Sequence, residues 1–83
     1  MFDLRKVKSF GGEYVYRADV LIFGEHHGKI LSDFSSLEGG MNASAIVWDT
    51  KNDLKKIRFD FESEEVAENF FMMGLLCGYF KYD

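Results

Sequence analysis

The chain has no proline and only one cysteine, Cys77. Without proline-rich or low-complexity segments no linker divides it, and its 83 residues match the usual size of one domain. Cys77 cannot form an internal disulfide, and its apolar neighbours predict a buried thiol typical of a reducing compartment. No apolar run is long enough for a signal peptide or a membrane span. We therefore expect a single cytoplasmic domain over residues 1–83 that makes no membrane contact.

Positive charge is also scarce, with 10 Lys and Arg against 14 Asp and Glu and a net charge of −4. Nucleic-acid binding relies on basic surfaces that displace counterions, so this balance argues against direct nucleic-acid contact and favours a protein partner with a basic surface. Aromatic residues make up 17% of the chain and could stack on bases. They alternate with polar residues beside apolar neighbours, however, which favours a role in the core.

Two strands are predicted around Gly11-Gly12, in "FDLRKVKSF" and "EYVYRADVLIF", because paired glycines supply the positive φ angles of tight hairpins. In the second strand Tyr14 shares a face with every second residue as far as Ile22, and we expect this face to look toward the core. After a hairpin tip at "GEHHG", the segment "KILSDF" is predicted to return as a third antiparallel strand.

The second half contains an irregular, flexible loop at "SSLEGGMN" and then a hairpin of "ASAIVWDT" and "LKKIRFDF" around "KND". Apolar and charged residues alternate strictly in its second strand. Ser63 is a predicted N-cap for a helix from about Glu64 to about Tyr79. The predicted fold is α+β: an antiparallel sheet of four to five strands, as two hairpins or a meander, followed by one C-terminal α-helix packed on one sheet face.

The two histidines of the chain are adjacent, in Glu25-His26-His27. Neighbouring residues of a strand point to opposite faces, so this spacing is poor for a shared metal unless Asp33 or Asp49 adds a ligand. No serine or cysteine has an evident base, which argues against an enzyme, and no cofactor is implied. We interpret His26 and His27 as an exposed, titratable hairpin tip that contacts a partner, with a small-ligand or metal site as the alternative.

Two further segments are candidate contact surfaces. The first comprises the acidic block "DFESEEVAE", which contains no basic residue, and the loop around Glu38 to Asn42. The contact residues predicted there are Asp60, Glu62, Glu64, Glu65, Glu68, Glu38 and Asn42. A solvated strand end and helix start is its plainer explanation. The second is the apolar helix segment "FFMMGLLCGYF", which forms either the core or a homodimer interface through Phe70, Phe71, Met72, Met73, Leu75 and Leu76.

These features predict a small acidic protein-interaction module that binds and inhibits or modulates a larger protein. In size and charge, though in no motif, the chain is similar to many small phage-encoded inhibitors of host or defence systems, including anti-CRISPR proteins. Two alternatives remain open at this stage. One is a metal or small-ligand protein that uses the histidine pair, and the other is a structural homodimer built on the C-terminal helix.

Overall fold

The computed structural model describes residues 3–80. Along the chain the elements are β1 (Arg5–Lys8), β2 (Tyr14–Phe23), α1 (His27–Ser35), β3 (Gly40–Asp49), β4 (Leu54–Phe61) and α2 (Glu64–Leu76). The four strands form one antiparallel sheet in the order β1-β2-β4-β3. The predicted α+β class, with an antiparallel sheet followed by a C-terminal helix, is confirmed.

The first hairpin forms where the two glycines predict it. Gly12 has a positive φ of 88°, and its N–H donates to the Ser9 carbonyl across the turn. A side chain other than glycine rarely adopts that φ, which explains the residue type at this position. β1 is shorter than predicted, with only four residues paired to β2.

The segment "KILSDF" is helical, so the predicted third strand and its meander are wrong. It belongs to α1, which buries Ile30 and Phe34, four residues apart, on one face. Lys29 and Asp33 have the same spacing and form an ion pair at 3.1 Å. A short apolar run fits either a strand or a helix, and the contacts of Ile30 and Phe34 with the rest of the core stabilise the helix. Strand β2 therefore pairs with β4 instead.

The second hairpin, β3 with β4, also forms as predicted. At its turn the Asp49 carboxylate accepts hydrogen bonds from the backbone N–H groups of Lys51 and Asn52. The flexible loop expected at residues 35–42 is shorter, because β3 already begins at Gly40 and includes Met41 and Asn42. The pairing of this edge strand with β4 shifts register between Gly40 and Asn42 and again between Ala45 and Val47.

The core lies between the sheet and the two helices. The predicted inward face of β2 is buried from Ala18 to Ile22, but Tyr14 at its start is 61% exposed. Aromatic rings contact one another throughout the centre of the core, where edge-to-face pairs stabilise the packing. The rings belong to Phe34, Phe59, Phe61, Phe70 and Phe71.

Helix α2 begins as predicted and ends early. The Ser63 hydroxyl accepts a hydrogen bond from the Val66 N–H, as an N-cap does. The helix stops at Leu76, and Gly78 follows it with a φ of 73°, a common helix C-terminal conformation. Cys77 is exposed, so the predicted buried thiol is wrong. Within residues 3–80 neither helix has the length and apolar character needed to cross a bilayer.

Candidate functional site

Five exposed glutamates collect at the corner where α1 ends and α2 begins. A hydrogen bond of 2.9 Å from the Glu62 N–H to the Gly39 carbonyl holds the turn after α1 beside the start of α2. A Cβ at Gly39 would lie 3.0 Å from a Glu62 carboxylate oxygen and from the Val66 side chain, so the two segments are in close contact. We call these residues the acidic surface: Glu38, Glu62, Glu64, Glu65 and Glu68.

The acidic surface carries charge that the described chain leaves uncompensated. Among residues 3–80, no Lys, Arg or His side chain lies within ion-pair distance of any of the five carboxylates. Glu64 and Glu65 lie in the first turn of α2, where the helix dipole favours negative charge. The helix dipole therefore accounts for the position of two of the five carboxylates. The other three lie outside the first turn of α2.

Asp60, which is also a predicted contact residue, lies outside the acidic surface. It is 6% exposed, and its carboxylate accepts two hydrogen bonds from the Arg17 guanidinium, at 2.8 and 3.1 Å. Asn42, also predicted as a contact residue, pairs with Asp60 in the β3–β4 register and is exposed. It therefore lies on the sheet, beyond the glutamate corner.

The Arg17–Asp60 pair is one of two adjacent cross-strand ion pairs on the sheet face that the helices leave open. In the second pair the Arg58 guanidinium donates two hydrogen bonds to the Asp19 carboxylate, at 2.9 and 3.1 Å. Arg5 approaches the same carboxylate. The hydrogen bond from Arg58 lowers the pKa of Asp19, and the bond to Asp60 raises the pKa of Arg17. Three arginines here face two aspartates, so this face has no excess of negative charge and differs electrostatically from the acidic surface.

The histidines do not form a hairpin tip. Gly24–His26 is a single turn of 3-10 helix that leads directly into α1 at His27. Both histidines are half-buried, which corrects the exposure predicted for them. The His26 ring packs against Tyr79, with centroids 5.3 Å apart, and lies edge-on to Phe23.

His27 has a basic neighbour, because its Nδ1 contacts the Lys55 amino group. Burial, followed by the charge of Lys55, lowers the pKa of His27. The same amino group lies 4.3 Å from the centre of the Trp48 ring, in cation–π geometry. A neutral His27 imidazole can accept a hydrogen bond from the Lys55 ammonium group, so this cluster favours uncharged imidazole. The positive charge of Lys55 makes the cluster unsuited to a cationic ligand.

The carboxylates that a metal site would need are used elsewhere. Asp33 pairs with Lys29, and Asp49 caps the β3–β4 turn. Within residues 3–80 no group of three or more His, Cys, Asp or Glu side chains has the arrangement of a metal site. The Glu25 carboxylate lies 3.5 Å from the His26 ring.

A groove of about 480 Å³ runs between α1 and α2. The helices run in opposite directions, because Tyr79 contacts His26 near the start of α1 while Val66 lies beside Gly39 just after its end. Apolar side chains form most of the groove: Ile30, Leu37, Phe70 and Met73. Sequence reasoning missed it because one of its walls is α1, which was predicted as a strand.

The predicted dimer residues of α2 divide into two sets. Phe71 is buried, and Phe70 and Leu75 are partly buried against the core cluster. Met72, Met73 and Leu76 remain exposed.

Contacts and backbone conformation within the chain explain why glycine occurs at positions 74 and 78, so no helix dimer is needed to account for them. A Cβ at Gly74 would overlap the Phe80 ring, so this glycine permits a contact inside the chain. Gly78 lies after the helix and has a positive φ, which serves to end it. The spacing of the pair therefore gives no support to close approach of a second helix.

The acidic surface and the α1–α2 groove are both accessible, and contacts within the described chain explain neither of them. Comparisons of the sequence with protein-family models and curated proteins, and of the fold with solved structures, give no match.

Proposed function

We propose that this protein is a small acidic protein-interaction module that binds a larger protein with a basic surface and inhibits or modulates it. The observation that carries the proposal is the acidic surface, where five glutamates from two separate segments meet without a basic neighbour among residues 3–80. Clustered charge of one sign steers association with a surface of opposite sign and raises the association rate.

An inhibitory mode follows from size and charge. A chain with a radius of gyration of 12.2 Å can occupy a basic groove on a larger protein. Its carboxylates would then compete with any anionic substrate of that groove, including nucleic acid. The proposal includes a cytoplasmic setting and a phage-type inhibitor of a host or defence system, by analogy of size and charge.

The test compares affinity captures from cell extract with three baits at low and high ionic strength. One bait is the unaltered protein, and the second carries Glu38→Lys with Glu68→Lys, which leaves the first turn of α2 unchanged. The third carries Glu13→Lys with Glu25→Lys, two carboxylates outside the acidic surface. Each reversal adds two charges, so both variants move from a net charge of −4 to 0.

We expect one partner to be held by the unaltered bait and by the third bait at low ionic strength, and to be lost from the second. Its binding to the unaltered bait should weaken as salt screens the charges. Identification of the partner by mass spectrometry, followed by titration of the purified pair, would give the affinity change. Equal capture of the same proteins by the second and third baits would contradict the proposal, and thermal melts of all three would exclude misfolding.

A further inference from the structure

We propose that the partner presents a basic amphipathic helix, whose apolar side chains enter the α1–α2 groove and whose Lys or Arg residues contact the acidic surface. The inference rests on the proposed function and specifies the segment that the surface binds. Recognition of this kind places an apolar helix stripe in a groove between helices, with charges at its edge.

The groove and the acidic surface are continuous at one end. Leu37 lines the groove and is followed by Glu38. On the other wall Asn69 and Met73 line the groove, and Glu65 lies one helical turn before Asn69 on the same face. A ligand that fills this end of the groove therefore meets carboxylates from both helices.

The opposite end of the groove carries no net charge. Lys29 and Asp33 both line the groove away from Glu38, and they form an ion pair with each other. Charge complementarity is consequently asymmetric: a bound helix would place its basic residues toward Glu38 and Glu65, and its uncharged residues toward Tyr79. This asymmetry fixes the direction in which the helix lies.

The size and composition of the groove suit a few apolar side chains. A volume of about 480 Å³ falls in the usual range of ligand-binding sites and is large enough for two or three leucine-sized groups. Met73 is 64% exposed and Met72 and Leu76 are exposed beside it, so apolar surface extends past the groove edge. Methionine adapts its shape to different partners and is common on surfaces that bind helices.

The probe is a fluorescently labelled synthetic peptide of leucine and lysine, with leucines spaced to form one helix face. A second peptide of the same composition has its leucines distributed around the helix. Binding is measured by fluorescence anisotropy at low and high ionic strength. The groove variant is Met73→Gln, and its matched control is Met41→Gln, which alters an exposed methionine on β3.

We expect the amphipathic peptide to bind, and the shuffled peptide to bind about tenfold more weakly. Met73→Gln should weaken binding about tenfold, as the loss of one buried methionine contact would, while Met41→Gln leaves it unchanged. Glu38→Lys with Glu65→Lys should weaken it by a similar factor at low salt and by less at high salt.

Equal effects of Met73→Gln and Met41→Gln, or equal binding of both peptides, would overturn the groove inference. A surviving effect of the charge reversals would then leave the proposed function intact, whereas loss of that effect would count against both. A dimer seen by light scattering and dissociated by Met73→Gln would identify a second copy as the occupant. A small molecule retained in native mass spectrometry and released by the same substitution would identify a different ligand, and either result would refute the inference.

Discussion

Removal of Arg17 and removal of Asp60, the two members of the partly buried ion pair, are expected to lower the free energy of unfolding by different amounts. Removal of Arg17 leaves a carboxylate that is 6% exposed without its two donors. Removal of Asp60 leaves a guanidinium whose side chain is 26% exposed and can turn to water. A buried charge without a partner costs more than an accessible one, so Arg17→Ala should be the more damaging change.

The magnitudes follow from the geometry. Hydrogen bonds to charged groups contribute about 1.5–3 kcal/mol, and breaking a buried pair costs about 3–5 kcal/mol, which partial exposure reduces. We expect Arg17→Ala to lower the free energy of unfolding by about 3 kcal/mol and Asp60→Ala by about 1.5 kcal/mol. The double variant should lose about 3 kcal/mol, which implies a coupling of about 1.5 kcal/mol. A domain of this length is stable by about 4–12 kcal/mol, so the variants should still fold.

Urea unfolding of the four proteins in this double-mutant cycle, followed by circular dichroism, gives the coupling directly. The pair of Asp19 with Arg58 is the control, because its side chains are 18% and 36% exposed. Its coupling should stay below about 1 kcal/mol, as for other solvent-accessible ion pairs. A coupling near zero for Arg17 with Asp60, or an equal cost of the two single changes, would refute this account.

Three further predictions concern His27, Gly74 and Ser63. Because the folded state lowers the pKa of His27 below its ordinary value of 6.5, its contribution to stability should be complete above pH 6.5 and lost as the pH falls toward the folded pKa. Urea midpoints across this range should fall for the unaltered protein and less for His27→Phe; parallel curves would contradict this. Gly74→Ala should destabilise by about 1–3 kcal/mol because its Cβ overlaps the Phe80 ring, whereas Gly11→Ala, with open space around it, should change stability little in the same assay. Ser63→Ala should cost about 1 kcal/mol in thermal and urea unfolding, and Ser63→Asp, which can also cap, should restore most of it; an equal loss in both would argue against the cap.

Local patterns were enough to predict both hairpins and the start of α2. Gly11-Gly12 marks the first turn, the alternation of Ile57, Phe59 and Phe61 marks an inward strand face, and Ser63 before two glutamates marks a helix start. Each of these signals lies within a few residues of the structure that it specifies. Their success reflects the local origin of turns, pleats and caps.

Helix α1 could not be distinguished from a strand by local pattern alone. Its first turn carries no side-chain cap, and two glycines surround the histidines, as in a turn. What stabilises it is the contact of Ile30 and Phe34 with residues of the sheet and α2. That contact depends on the path of the whole chain, and so does the groove that α1 forms with α2.

The role of Asp60 was hidden for the same reason. Its neighbours in sequence, Glu62 and Glu64, suggested one continuous acidic segment. The alternation of the strand, however, places Asp60 on the open sheet face, where the β2–β4 register brings it opposite Arg17. A partner 43 residues away in the chain cannot be read from the composition of the segment.

The middle of the open sheet face consists of ion-paired side chains. Arg17 with Asp60 and Arg58 with Asp19 lie at neighbouring cross-strand positions. The Asp60 carboxylate is buried, whereas the side chains of Arg17, Asp19 and Arg58 remain 26%, 18% and 36% exposed. Burial of these pairs under a partner would cost desolvation that their existing hydrogen bonds could not offset. The helix side differs, because exposed apolar surface there adjoins carboxylates that have no counter-charge. A partner would thus gain both apolar contact and charge neutralisation at the α1–α2 groove, which supports the docking surface that we propose.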